Sequence, residues 1–247
     1  MSVQENLKQV QARIRQACQR AARNPSEVQL ILVTKNVPLE KIREAYEAGA
    51  RDFGENRVQE LLEKKPRLPR DIRWHAVGHL QTNKVKSVMG EINLLHSLDR
   101  VPLAEEIEKQ AEKKNLRVDA LIQVNTTGEA AKSGFAAEEV EVGVEAIAQM
   151  NRIQLRGLMT IGPTPGVAST AQDSIRAGFR RLRVLRDELQ EKFPDLDFRQ
   201  LSMGMSSDFE IAIEEGATLV RIGTAVFGER SPQSAVDSPQ KEKDNGI

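Results

Sequence analysis

The sequence predicts an α/β fold, a single (β/α)8 TIM-like barrel with an extra helix at its N-terminus. Three observations lead there. Short apolar runs of strand length alternate with segments whose apolar residues recur three or four apart, the pattern of a parallel sheet covered by helices. The alternation repeats eight times within 247 residues, which suits a closed barrel better than an open sheet. No Gly/Pro/Ser linker or shift in composition interrupts the series, so residues 1–230 are expected to form one domain.

The chain opens with Leu7, Val10, Ile14, Cys18 and Ala21 at helical spacing, an amphipathic helix whose buried stripe includes Cys18. A cysteine there is expected to pack as a small apolar residue rather than to react. After Asn24-Pro25, the run VQLILVTK predicts a first strand over 28–34, and Pro38 opens the helical LEKIREAYEAGA. Further strands are predicted over 51–54, 72–77, 92–96, 118–125, 155–161, 198–203 and 218–223. Helical patterns lie between them, including VQELLEKK, LAEEIEKQAEKK, EEVEVGVEAIAQM and SIRAGFRRLRVLRDELQEKF. Residues 231–247 are polar, charged and proline-bearing, and are expected to be a disordered tail.

Composition narrows the function. With 36 Lys+Arg against 36 Asp+Glu the formal net charge is +0, which offers no general attraction to nucleic acid or to anionic membranes. A single cysteine cannot form an intramolecular disulfide, and His75, His79 and His96 are too few for the usual zinc-ligand sets. The N-terminus lacks an apolar targeting core, and no apolar run approaches membrane-spanning length. A cytoplasmic monomer with no nucleic-acid or membrane partner is expected.

In a parallel barrel, functional groups collect at the C-terminal ends of the strands, where the following loops surround one mouth. That position selects Lys35; Glu55 and Asn56; His75 and Gly78; His96 and Ser97; Asn125 and Thr126; Met159 and Thr160; Ser202 and Met203; and Arg221, Gly223 and Thr224. Lys35 leaves the core at the end of the first strand. It is either a solvated strand-end cation or an amine that partial desolvation and a cation such as Arg221 keep available to form a Schiff base. Ser207 and Glu210 have capping-box spacing for the helix FEIAIEEG, so donors and hydroxyls are expected to face the mouth there. Gly223 and Thr224 end the last strand, and loops after the last two strands form the phosphate site of such barrels. The three histidines are expected to be structural: His75 a buried, hydrogen-bonded ring and His79 a surface or capping residue. Glu55 is expected to orient Asn56 or to cap the helix beginning at Arg57.

A lysine amine opposite a phosphate cradle suggests pyridoxal 5'-phosphate, which carries both an aldehyde and a phosphate. The segments ILVTKN, FGENRVQE, WHAVGHLQTNK, LHSLDR, VNTTGEAAKSGF, LRGLMTIGP and LSMGMSSDFEIAIEEGATLVRIGTAVFGER resemble the pyridoxal phosphate homeostasis family. Its members look like the isolated barrel domain of fold-type III alanine racemases, and the likeness covers about residues 28–230. The resemblance implies that Lys35 is the Schiff-base lysine, with Asn56 beside the ring, Ser202, Gly223 and Thr224 around the phosphate, and Arg221 facing the pyridine nitrogen or the phosphate. With Met203 and Ser207 these form the expected cofactor-binding set. Many members read Val-Ser-Lys-Thr where this chain has Val33-Thr34-Lys35-Asn36, so the hydroxyl before the lysine is kept and the one after it becomes an amide.

Three functions are compatible with this pattern: a protein that holds the cofactor and passes it to pyridoxal phosphate-dependent apoenzymes, an amino-acid racemase or decarboxylase, and a Schiff-base aldolase-like barrel without the cofactor. Racemisation generally needs two bases, and the fold-type III enzymes supply a tyrosine from an added β domain. Tyr46 is the only tyrosine here and falls in the helix after the first strand, so binding without efficient catalysis is the expected role.

Overall fold

The computed structural model describes residues 1–127, 133–162 and 172–229. The predicted tail, 231–247, lies outside the described residues. Helix α1 (Val3–Arg20) starts at a capping box in which Ser2 accepts from the Glu5 amide and Glu5 accepts from the Ser2 amide. It is followed by β1 (Gln29–Val33), α2 (Leu39–Glu47), β2 (Asp52–Glu55), α3 (Val58–Lys64), β3 (Arg73–Ala76), α4 (Val85–Val88), β4 (Leu94–Leu98) and α5 (Val101–Lys113). The second half comprises β5 (Val118–Asn125), β6 (Phe135–Ala136), α6 (Val140–Ala148), β7 (Ile153–Met159), α7 (Gln172–Lys192), β8 (Gln200–Ser202), α8 (Phe209–Glu214), β9 (Leu219–Ile222) and α9 (Thr224–Phe227).

Every strand pair is parallel, and eight strands form a ring in the order β1-β2-β3-β4-β5-β7-β8-β9. The β4–β5 pairing and the β1–β9 pairing close it. Strand β6, which the sequence does not announce, is a two-residue addition beside the C-terminal end of β5. The fourth barrel strand sits two residues later than its predicted span of 92–96, so His96 is in the middle of β4 rather than at its mouth end. Asp208, not Ser207, is the N-cap residue of α8. Its carboxylate accepts from the Met205 amide at 2.6 Å, while Glu210 turns outward to pair with Arg13.

Side chains on a strand alternate between its two faces, and the strands obey this. One set packs outward against the helices in the main core, including Leu32, Phe53, Trp74, Leu95, Leu158, Leu201, Val220 and Ile222. The other set points into the barrel, where Ile31, Leu94, Leu121, Met159 and Leu219 form a separate apolar cluster. Helix α1 packs on α8 and α9, burying Leu7, Val10, Ile14 and Cys18. Arg23, just beyond it, donates to the carbonyls of Ile213 and Ala217 at 2.8 Å each, and Asn6 donates to that of Val226. The added helix thus braces the two short helices whose preceding loops border the barrel mouth. Cys18 is fully buried and its thiol is pushed up by that burial, as a packing residue's would be. No helix among the described residues is long and apolar enough to cross a membrane.

Candidate functional site at the barrel mouth

At the C-terminal mouth lies a cavity of about 680 Å³, within the usual range for a small-molecule site. Lys35, Asn56, Arg221, Gly223 and Thr224 line it, together with Ser207, so six residues of the expected set meet there. Val33, Val77 and Ile161 supply apolar walls, and Met205, Ser206 and Ala225 complete the rim.

Each polar side chain has a structural reason for its place. Lys35 lies two residues beyond the end of β1, and the residues on either side of it are clamped from behind. Thr34 is fully buried and its Oγ1 donates to Glu55 Oε1 at 2.6 Å. Lys64 reaches back from α3 to Glu55 Oε1 at 2.6 Å, to the Thr34 carbonyl at 2.8 Å and to Glu60 Oε2 at 3.0 Å. Glu60 Oε2 in turn accepts from the Asn36 amide at 2.9 Å. Asn36 has φ +55, a left-handed conformation that asparagine adopts more readily than most residues, so the amide in place of a hydroxyl suits the backbone. Glu55 therefore serves the Lys35 segment, and neither orients Asn56 nor caps α3 as the sequence suggested. Burial raises its carboxyl despite Lys64, and its Oε2 has no partner among the described residues. Asn56 is held by Gly78, where a Cβ would lie 2.7 Å from the Asn56 Cα.

Arg221 is 5% exposed and forms part of the cavity floor. Its Nη1 donates to Ser202 Oγ and its Nη2 to the Thr160 carbonyl at 2.8 Å. Burial pulls it down to about 10, opposed by the Asp208 carboxylate, so it remains a cation at neutral pH.

Two residues of the expected set lie elsewhere. Ser202 is fully buried beneath the floor, behind Arg221. Met203 follows it in the chain and therefore faces the opposite way, into the core between strands and helices. Ser206, which capping-box spacing passed over in favour of Ser207, is at the rim. Its Oγ accepts from the Ala225 amide at 3.2 Å and ties the loop after β8 to the loop after β9. The signal that could have found it is Gly204. At φ +93, with a Cβ position 2.6 Å from Ala212 Cβ, only glycine lets the chain fold back there and bring residues 205–207 over the mouth. The amides of Ser206 and Ser207 donate to no other group among the described residues. With two serine hydroxyls and Thr224, they make this side of the cavity rich in donors, as an anion requires.

His79 Nδ1 is 2.7 Å from Asp99 Oδ2, beside a second cavity of about 290 Å³ that shares Asn56 with the first. His75 and His96 are buried in the barrel interior below the floor. Tyr46 donates to Asp71 Oδ1 at 2.7 Å, near Arg51 and at the opposite end of the barrel from the mouth.

Comparison with known proteins shows the family. The family described as "Alanine racemase, N-terminal domain" matches residues 6–231. The pyridoxal phosphate homeostasis protein of Aquifex aeolicus is 48% identical over 231 residues, covering 93% of this chain and 99% of the relative. That of Escherichia coli is 38% identical, covering 92% and 97%. Among solved structures, PipY of Synechococcus elongatus with pyridoxal phosphate bound superposes with a TM-score of 0.79 at 37% identity, covering 92% of this chain and all of that one. An alanine racemase of Clostridium difficile, at 12% identity and TM-score 0.74, shares the fold over 95% of this chain and 58% of its own. By the span of the family match and the identity of these relatives, the chain belongs to the alanine racemase N-terminal-domain family, among the pyridoxal phosphate homeostasis proteins.

Proposed function

We propose that this chain binds pyridoxal 5'-phosphate at the barrel mouth and holds it on Lys35, without efficient turnover, to maintain intracellular vitamin B6 and amino-acid balance. The observation that carries the reading is the meeting of a lysine amine, a buried arginine and a donor-rich rim around one cavity of about 680 Å³. When bound, the group would supply a reactive aldehyde, and Lys35 is the amine placed to hold it. Asn56 would lie beside the ring, and Ser206, Ser207, Gly223 and Thr224 would take the phosphate. Arg221 would face the ring nitrogen. A cation there disfavours a second positive charge on that nitrogen and weakens the ring as an electron sink. Ser202 acts from behind through Arg221, and Met203 as core.

Proton removal from an amino acid is poorly served. The one tyrosine, Tyr46, is engaged with Asp71 far from the mouth. Holding the aldehyde for transfer to apoenzymes, by a cytoplasmic monomer built as one barrel domain over residues 1–230, is the role these features support. Borohydride reduction of the loaded protein followed by peptide mapping tests it. Cofactor trapped on Lys35, and loss of both trapping and visible absorbance in Lys35→Ala with the fold intact, are expected; trapping on another lysine would overturn the assignment.

A further inference from the structure

A file of buried polar side chains runs along the barrel axis, below the site just described. Asp52, at the start of β2, lies 3.2 Å from His75 Nε2. His75 Nδ1 is 3.0 Å from His96 Nε2, the two rings meeting edge to face at 5.2 Å between centroids. His96 Nδ1 is 2.8 Å from Ser202 Oγ, which accepts from Arg221 at the cavity floor. His75 and His96 are 4% and 0% exposed, too dry for water to replace any of these contacts without cost.

The carboxylate at one end and the guanidinium at the other give neutral rings between them one direction of donation. At the lower end Asp52 is buried, which pushes it up, but hydrogen bonds from His75 and Arg73 outweigh that and hold it at about 2, so it is a carboxylate that only accepts. With a neutral ring, His75 places its proton on Nε2, facing that carboxylate, and accepts on Nδ1. His96 is fully buried, and that burial above all holds its imidazole well below its ordinary value, so it is neutral. Facing an accepting His75 Nδ1, it donates from Nε2 and accepts on Nδ1. The Ser202 proton is committed to that nitrogen, and its lone pairs are left for Arg221. All four hydrogen bonds point the same way, from guanidinium to carboxylate.

We propose that His96, backed by His75 and Asp52, is a positioning residue that keeps Ser202 an acceptor and thereby fixes the Arg221 fork against the floor of the cavity. A carboxylate in direct contact would consume the donors of Arg221 and its charge. A relay places the compensating negative charge at the far end of the barrel and leaves the cavity-facing edge of the guanidinium for a ligand's aromatic nitrogen. The ligand part of this rests on the pyridoxal phosphate reading above; the proton positions do not.

The test has two arms. In protein labelled with ¹⁵N-histidine and without added ligand, His96 should give the neutral Nε2–H tautomer at pH 7, and Ser202→Ala should shift His96 more than His75. A protonated His96, or its Nδ1–H tautomer, would overturn the proposal. In the second arm His96→Leu should weaken pyridoxal phosphate binding about tenfold and move its absorption maximum, because a hydrogen bond to a charged group is disturbed. His96→Asn, whose Oδ1 can stand where Nδ1 stood, should restore the maximum and most of the affinity. Equal affinities and spectra in the two variants, with loss of thermal stability alone, would make the file mere filling and sink the idea. If His96→Leu does not fold, Ser202→Ala takes its place as the variant lacking the acceptor. If wild-type protein fails to bind the cofactor, the functional reading falls and the tautomers decide the positioning role alone.

Discussion

Lys35 is held in place by groups that never touch the cavity. Lys64 neutralises Glu55 and Glu60 and also caps the Thr34 carbonyl, so a single ammonium organises the strand end that presents Lys35. Removing one partner of a buried ion pair costs about 3 to 5 kcal/mol, because the remaining charge keeps its desolvation penalty. Lys64→Met should therefore destabilise the protein by that order in urea unfolding, and adding Glu55→Gln should recover part of the loss. No recovery in the double variant would show that the cost lies elsewhere. Asp52 provides a pH test at the same scale. Its folded value, about 2, is below the ordinary 3.8, so the stability it contributes is present above the ordinary value and lost as pH falls toward 2. That contribution is roughly 2 kcal/mol for a nearly buried group. Asp52→Asn should flatten the loss of stability between pH 5 and pH 2 by about that amount; an unchanged slope would contradict the assignment.

The elements divide the work between two ends of the same strands. The loops after β8 and β9 meet where Ser206 accepts from Ala225, and α1 braces α8 and α9 behind them. Gly204 is the pivot, since at φ +93 any side chain is strained and a Cβ there meets α8. Gly204→Ala should displace residues 205–207 and weaken pyridoxal phosphate binding more than binding of pyridoxal, which lacks the phosphate. In the wild-type protein pyridoxal should bind much more weakly, as each charge-assisted hydrogen bond to phosphate contributes about 1.5 to 3 kcal/mol. Equal affinities for the two aldehydes would remove the donor-rich rim from the account. The eight strand-helix alternations, the N-terminal helix and the position of Lys35 are legible in the sequence because each follows from local periodicity. The place of His96 is not legible, because a shift of two residues in a strand boundary leaves the apolar pattern almost unchanged while moving the ring from the mouth to the interior.

For the whole molecule, the barrel interior holds a polar file beside an apolar cluster, and the candidate site opens at one mouth. With Tyr46 bonded to Asp71 at the other end, the loaded protein should not exchange the α-hydrogen of amino acids at enzymic rates. Incubation with L- and D-amino acids in deuterated water, read by NMR and chiral chromatography, checks this. Turnover of about 1 to 1000 per second on any of them would restore the racemase reading. What the chain determines by itself is periodic and local: which segments are strands, which helices cover them, and which residues stand at strand ends. Only ring closure decides which of those residues share a space. Ser202 and His96 are 106 positions apart in sequence and meet because β4 and β8 belong to one closed ring. Met203 and Ser202 are neighbours in sequence and part company because alternate side chains of a strand leave it on opposite faces, one toward the helices and one toward the barrel axis.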